Sequence, residues 1–374
     1  MTMRKPEIKK LFVTQPLMPP LVDFIPYLEK IWLNKWVTNG GEFHNQLERE
    51  LCTYLGVSHL SLFNNGTTAL LTAIKALDIG GEVITTPFSF VATSHALLWN
   101  GLTPVFVDID PLTFNLAPDQ IAAAITPRTC AILPVHCYGF PCDIAAIGAI
   151  AERFALKVVY DAAHAFATRY RGQSVLNYGD LAVLSFHATK PFNTFEGGAI
   201  VSRDTRTKQR LDCLKDFGIE DEVTVAMTGI NGKMNEISAA FGLLQLTAIE
   251  DALARRRVLG ERYCAGLAGV PGIRCIAESW QGGGNYAYFP IEVGAAFPLD
   301  RDALFERLRA ADIIARRYFY PLISDMPMYR QLPSAAPEKL PVAHRAAAQV
   351  ICLPIYPALT DADVDRVIGV IAFA

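Results

Sequence analysis

The chain has 374 residues, 51 % of them hydrophobic, enough to bury one large core together with a smaller second one. Lys and Arg number 34 against 37 Asp and Glu, a net charge of −3, so neither a nucleic-acid partner nor an anionic membrane surface is expected, and small molecules are. Met1 to Lys10 mixes charges without the apolar core of a leader, and no later stretch shows the roughly 18 consecutive apolar residues of a membrane span, which points to a cytoplasmic location.

The eight cysteines, Cys52, Cys130, Cys137, Cys142, Cys213, Cys264, Cys275 and Cys352, form no C-x-x-C pair and share no ligand spacing with histidine. They read as free, buried thiols, small and apolar in behaviour, with no metal site expected.

In chain order, short β-branched apolar runs at 82–86, 104–108, 130–135, 157–161, 181–186 and 198–202 alternate with amphipathic or Gly/Pro-punctuated segments. Runs of this length predict strands buried on both faces of a mostly parallel α/β sheet, with any ligand at their carboxyl ends. Beyond Asn235 a helical period runs through Ala239, Leu243, Leu246 and Ile249 to the charged Arg255, Arg256 and Arg257, as for a long helix leaving the large domain. The remainder predicts a second α/β unit, with residues 1–250 as the large domain and 251–374 as the small one. Residues 282–284 read as an exposed glycine turn and 332–341 as a Pro/Ala-rich surface loop.

Three local features carry chemistry. Asn65-Gly66-Thr67-Thr68 opens an apolar-periodic helix, so its backbone N–H groups and hydroxyls suit a phosphate, although an ordinary helix cap reads the same way. Asp161 ends the run Lys157-Val158-Val159-Tyr160 and is followed by Ala162, Ala163 and His164; by itself it is a turn residue as readily as a functional carboxylate. Lys190 follows Leu184-Ser185-Phe186-His187-Ala188-Thr189 and precedes the Glu196-Gly197-Gly198 turn. A lysine stranded there is either a surface group or an amine whose burial lowers its pKa and makes it a nucleophile. Ser185 can face the same phosphate or line the core.

Taken together and in this order, these motifs resemble the DegT/DnrJ/EryC1/StrS family of sugar aminotransferases, which are pyridoxal-phosphate (PLP) enzymes. The resemblance covers nearly the whole chain: Trp36-Val37-Thr38-Asn39-Gly40-Gly41, Pro87 to Thr93, Asp161-Ala162-Ala163-His164-Ala165, Gly229 to Glu236, Tyr318-Phe319-Tyr320-Pro321-Leu322 and Leu353-Pro354-Ile355-Tyr356-Pro357 also fit it. It implies the aspartate-aminotransferase (type I) fold, a mostly parallel sheet of the seven-stranded type with a smaller C-terminal α/β domain.

By the same resemblance, Lys190 carries PLP as a Schiff base and serves as the acid/base, Asp161 partners the pyridine nitrogen, and His164 contacts the ring hydroxyl. Gly66, Thr67 and Ser185 hold the phosphate and Phe90 stacks on the ring. Asn231 reaches the cofactor phosphate of a neighbouring subunit, which implies a homodimer with shared active sites. Two positions depart from the common pattern: His164 stands where many members have Gln, and Lys233 where Arg is usual, exchanging a bidentate fork for a point charge. Tyr318 and Tyr320 either line the sugar pocket or pack between domains.

The implied reaction moves an amino group from L-glutamate to a nucleotide-linked keto sugar. The wording around Lys190 favours dTDP-4-keto-6-deoxy-D-glucose, giving the 4-amino-4,6-dideoxy product for O-antigen or a related glycan. UDP- or GDP-linked 4-keto sugars and dTDP-3-keto sugars remain alternatives. A PLP-dependent sugar dehydratase of this family would carry histidine in place of Lys190. A nicotinamide dehydrogenase would require a G-x-G-x-x-G that the early strands lack.

Overall fold

A computed structural model describes residues 9–279 and 284–373; most of the glycine turn expected at 282–284, and the first eight residues, lie outside these. The central sheet has seven strands: β1 (His59–Phe63), β2 (Glu82–Thr85), β3 (Thr103–Phe106), β4 (Thr129–Leu133), β5 (Lys157–Asp161), β6 (Leu181–Ser185) and β7 (Gly198–Ser202). Their spatial order is β1-β7-β6-β5-β4-β2-β3. Every pairing is parallel except the two made by β7, which runs antiparallel to both β1 and β6. The sheet is thus mostly parallel, as the apolar runs require.

Alternation along the strands sends Val158, Tyr160, Ala182 and Leu184 into one core and Val159, Leu181 and Val183 into the other. Helices cover both faces, which is why the strands read as unbroken apolar runs. β1 is the strand the apolar pattern does not announce, because His59 and Ser61 interrupt it; Ser61 is nevertheless fully buried.

Four helices matter for the site. They are α1 (Leu21–Asn34), α2 (Glu42–Leu55), α3 (Gly66–Ala76) and α4 (Glu236–Leu267). The buried carboxylate of Glu236 at the start of α4 accepts the N–H groups of Phe43 at 3.0 Å and His44 at 2.7 Å, satisfying first-turn donors of α2 that the helix itself cannot. α4 is long and apolar enough by length and composition to cross a membrane, yet 56 % of that window is buried inside the protein, as in a core helix. Of the three consecutive arginines on α4, Arg256 turns inward and donates to the carbonyls of Tyr286 and Ile355, each at 3.0 Å.

A second, antiparallel sheet consists of β8 (Ile273–Cys275), β9 (Phe289–Val293) and β10 (Val350–Leu353) in that order. The division expected after residue 250 falls within α4: Ala239 to Ile249 pack into the core of the large sheet, and Leu259, Tyr263 and Leu267 into that of the small one. We propose that α4 is the spine shared by the two domains. The segment 332–341 is largely exposed, but it winds through two 3-10 turns and buries Ala335 and Leu340. Cys264 on α4, Cys275 on β8 and Glu278 bring their ligand atoms within 4.8 Å of one another, a proximity set by helix–sheet packing that the scattered cysteine spacing does not reveal.

Candidate active site

The topology brings the chemistry-bearing residues to one edge of the large sheet. β5 ends at Asp161 and β6 at Ser185. Because β7 runs back antiparallel, its first residue, Gly198, pairs with both Ser185 and Phe63, the last residue of β1. The turn after β1 delivers the N-terminus of α3 to the same edge, and the loop between β6 and β7 carries Lys190. Between these elements and the small sheet lies a cleft of about 360 Å³, at the carboxyl ends of parallel strands where such sheets bind ligands. Gly66, Thr67, Phe90, Asp161, His164, Ser185 and Lys190 all line it.

At the floor, Asp161 is buried and accepts from the Thr93 hydroxyl at 2.8 Å and the Ala163 N–H at 3.1 Å. Burial raises its pKa, against the opposing pull of those two donors and of the Lys190 charge. The Lys190 ammonium lies 3.2 Å from the Tyr288 hydroxyl, to which it donates. Burial lowers its pKa to about 8, the charge of Asp161 opposing the shift.

His164 is sandwiched, parallel to Phe319 (centroids 5.9 Å apart, 3° between planes) and edge-on to Tyr288 (4.9 Å, 68°). Burial, and then the Lys190 charge, hold its pKa well below the usual value. The imidazole is therefore neutral near pH 7 and can donate or accept one hydrogen bond, as the amide of Gln does. Its Nδ1 is buried without a partner.

At the opposite wall, Asn65 caps α3 by accepting the Thr68 N–H at 2.8 Å, and the helix supplies no carbonyl for the N–H groups of Gly66 and Thr67. A Cβ on Gly66 would come within 2.8 Å of Ser185 Cβ and 3.1 Å of its Oγ. Only glycine leaves this gap beside the hydroxyl. Phe90 sits at the rim with 56 % of its surface exposed, a flat apolar face without a cover.

Residues 22–372 match the sequence pattern of the DegT/DnrJ/EryC1/StrS aminotransferase family. The chain belongs to this family. It is accordingly a PLP-dependent sugar aminotransferase by class. It is 53 % identical to the dTDP-4-amino-4,6-dideoxy-D-glucose transaminase of Escherichia coli over 356 residues, covering 94 % of this chain and 95 % of that one. It is 36 % identical to the GDP-perosamine synthase of Caulobacter vibrioides, covering 89 % and 90 % of the two chains. Among solved structures, DesI, analysed in the presence of its TDP-sugar product, superposes with a TM-score of 0.92 at 36 % identity, covering 97 % of this chain and 92 % of that one.

Three of the residues singled out in the sequence lie elsewhere. Asn231 is exposed, forms a bridge with Asp216, and does not line the cleft of its own chain. Lys233 is held by Asp216 at 2.6 Å and lies over the Phe217 ring, so its charge is already matched within the chain. Tyr318 lines the cleft, whereas Tyr320 does not and instead stacks under Arg301. Thr93, Tyr288 and Arg316 also line the cleft; of these, only Thr93 falls within a motif that pointed to the site.

Proposed function

We propose that this protein binds PLP in the cleft and transfers the amino group of L-glutamate to C4 of dTDP-4-keto-6-deoxy-D-glucose, giving dTDP-4-amino-4,6-dideoxy-D-glucose. The observation that carries the PLP reading is the convergence, in one cleft, of a lysine amine lowered to about 8, a buried carboxylate and an open helix N-terminus beside a glycine-made gap. The choice of sugar rests on similarity to the Escherichia coli transaminase.

The residues fit the cofactor group by group. Gly66 and Thr67 offer N–H groups at the positive end of α3, and Ser185 a hydroxyl, to the phosphate. Phe90 offers its open face to the ring, and the unpartnered Nδ1 of His164 is suited to the ring hydroxyl. Asp161 is buried with its lone pairs only partly used, and a protonated pyridine nitrogen gives that carboxylate the cation it lacks. When bound, PLP supplies an aldehyde that takes the amino group and a ring that accepts the electron pair left on the substrate carbon.

Lys190 holds the cofactor between turnovers. With the cofactor bound, its Nζ would be placed to take the proton from the amino-bearing carbon of glutamate. In the second half-reaction the same Nζ returns a proton to C4 of the sugar. Tyr288, within hydrogen-bond reach, orients that amine. Asp161 would keep a proton on the ring nitrogen of the bound cofactor, and His164, being neutral, adds no charge to the site.

The active unit is a homodimer. In support, α1 and the segment after it expose Leu21, Val22, Trp32, Leu33, Trp36 and Val37, each more than half exposed, large apolar side chains of the kind that a second copy covers. Asn231, exposed and outside its own cleft, would then serve the partner's phosphate. A cytoplasmic location accords with these soluble substrates.

The test is product identification. Incubated with glutamate and each of the dTDP-, UDP- and GDP-linked 4-keto-6-deoxy sugars, the protein should yield the 4-amino sugar by mass and NMR with the dTDP substrate at the highest kcat/KM. Preference for another nucleotide, or amination at C3, would reject the assignment of substrate.

A further inference from the structure

Arg316 is the one arginine among the described residues that line the cleft, and its guanidinium makes no ion pair and no hydrogen bond with any of them. Among the described residues its only ring contact is with Tyr318, 5.8 Å from guanidinium carbon to centroid. The next residue supplies the contrast. Arg317 is paired with Asp302 at 2.7 Å and packs on Phe305 and Tyr320. Of two adjacent arginines, one is neutralised outside the cleft and the other is left unpaired within it.

The root of Arg316 is fixed. Its N–H donates to the Cys352 carbonyl at 3.1 Å, its own carbonyl accepts from the Cys352 N–H at 2.7 Å, and the Tyr138 hydroxyl donates to the carbonyl of Tyr318. The backbone is thus pinned to the edge strand β10, while the side chain extends into the cleft. A chain of contacts leads from it to the reacting amine: Arg316 to the Tyr318 ring, Tyr318 to Tyr288 with centroids 5.6 Å apart, and the Tyr288 hydroxyl to Lys190 at 3.2 Å. The guanidinium and the reacting amine thus line one cleft and are joined by a continuous run of side chains. The guanidinium comes from a segment bridged to the small sheet, whereas the gap beside Ser185 belongs to the large one.

Resting on the function proposed above, we infer that Arg316 binds the oxyanion of the reacting substrate. A planar guanidinium accepts a carboxylate or a pyrophosphate as a two-pronged partner. Both substrates are anions, one through the carboxylates of glutamate and the other through its pyrophosphate. Binding either breaks no existing ion pair, and the pinned backbone means that only the side chain has to be ordered.

The experiment uses calorimetry on the PLP-loaded enzyme and its Arg316→Gln and Arg316→Lys variants with two unreactive probes. Glutarate presents the donor's carboxylates without an amine, and dTDP presents the pyrophosphate without a sugar. Arg316→Gln should weaken one probe about tenfold or more, as loss of a charge-assisted hydrogen bond does, with partial recovery in Arg316→Lys. Weakening of glutarate assigns the site to the donor, and weakening of dTDP to the acceptor. Affinities for both probes within twofold of wild type would overturn the inference while leaving the proposed function intact. Loss of the visible cofactor band in both variants would also overturn it, by assigning Arg316 to the cofactor or the fold. A wild-type enzyme that binds neither probe would reject the proposed function itself, and this inference with it.

Discussion

Lys190 owes its chemistry to where the chain places it. An amine attacks an aldehyde only when neutral, and burial has brought its pKa from the usual lysine range down to about 8, so the neutral fraction grows through pH 8 and not through 10.5. The rate at which the cofactor-free protein captures PLP, followed by absorbance, should rise with pH and level off above about 8. A rate still climbing toward pH 10 would mean that the amine is not shifted. Asp161 and Lys190 were visible in the sequence because each stands at or just beyond the end of an apolar run, where a charged side chain needs a reason to be. Tyr288 and Arg316 were not. They come from the small domain, about a hundred residues further along the chain, and only the closing of one sheet onto the other brings them to Lys190. Phe90 was legible as an aromatic, but its bare face was not, since exposure is a property of the packed molecule.

Among the elements, the turn from β1 into α3 is the most exacting. Asn65 caps the helix, Gly66 makes the gap against Ser185, and the first-turn N–H groups face the cleft. Gly66→Ala would drive a methyl to within 2.8 Å of Ser185 Cβ, closer than such atoms approach, so α3 or β6 must shift. The fold should survive while PLP affinity falls about tenfold or more, as loss of phosphate hydrogen bonds implies; fluorescence titration with PLP checks this, and unchanged affinity would place the phosphate elsewhere. Strands β2 to β7 were legible as apolar runs because helices bury both faces of the sheet. β1 was hidden by its two polar residues, and with it the reason why the Gly-Thr turn lies beside Ser185. The antiparallel course of β7 is likewise not written in its composition, although it folds the Lys190 loop back over the cleft.

For the whole molecule the question is what covers the apolar face of α1 and what Asn231 reaches. With shared sites, Asn231→Ala should weaken PLP retention without altering the subunit's own lysine. A mixed dimer of one Asn231→Ala chain and one Lys190→Ala chain should then regain one complete site and about half the wild-type rate. If Asn231 served its own cleft, the mixed dimer would have no complete site. The sequence pointed to this sharing only through family resemblance, since a single exposed asparagine carries no local sign of its partner.

Amino transfer through PLP held by Lys190 is tested by an absorption spectrum of the purified protein with PLP, recorded alone, after glutamate, and after a 4-keto-6-deoxy sugar nucleotide. A visible band for the lysine-bound cofactor should form and should be absent in Lys190→Ala. Glutamate should replace it with the shorter-wavelength band of the aminated cofactor, and the keto sugar nucleotide should restore it. A band that never forms, that forms equally well without Lys190, or that glutamate leaves unchanged would contradict this transfer.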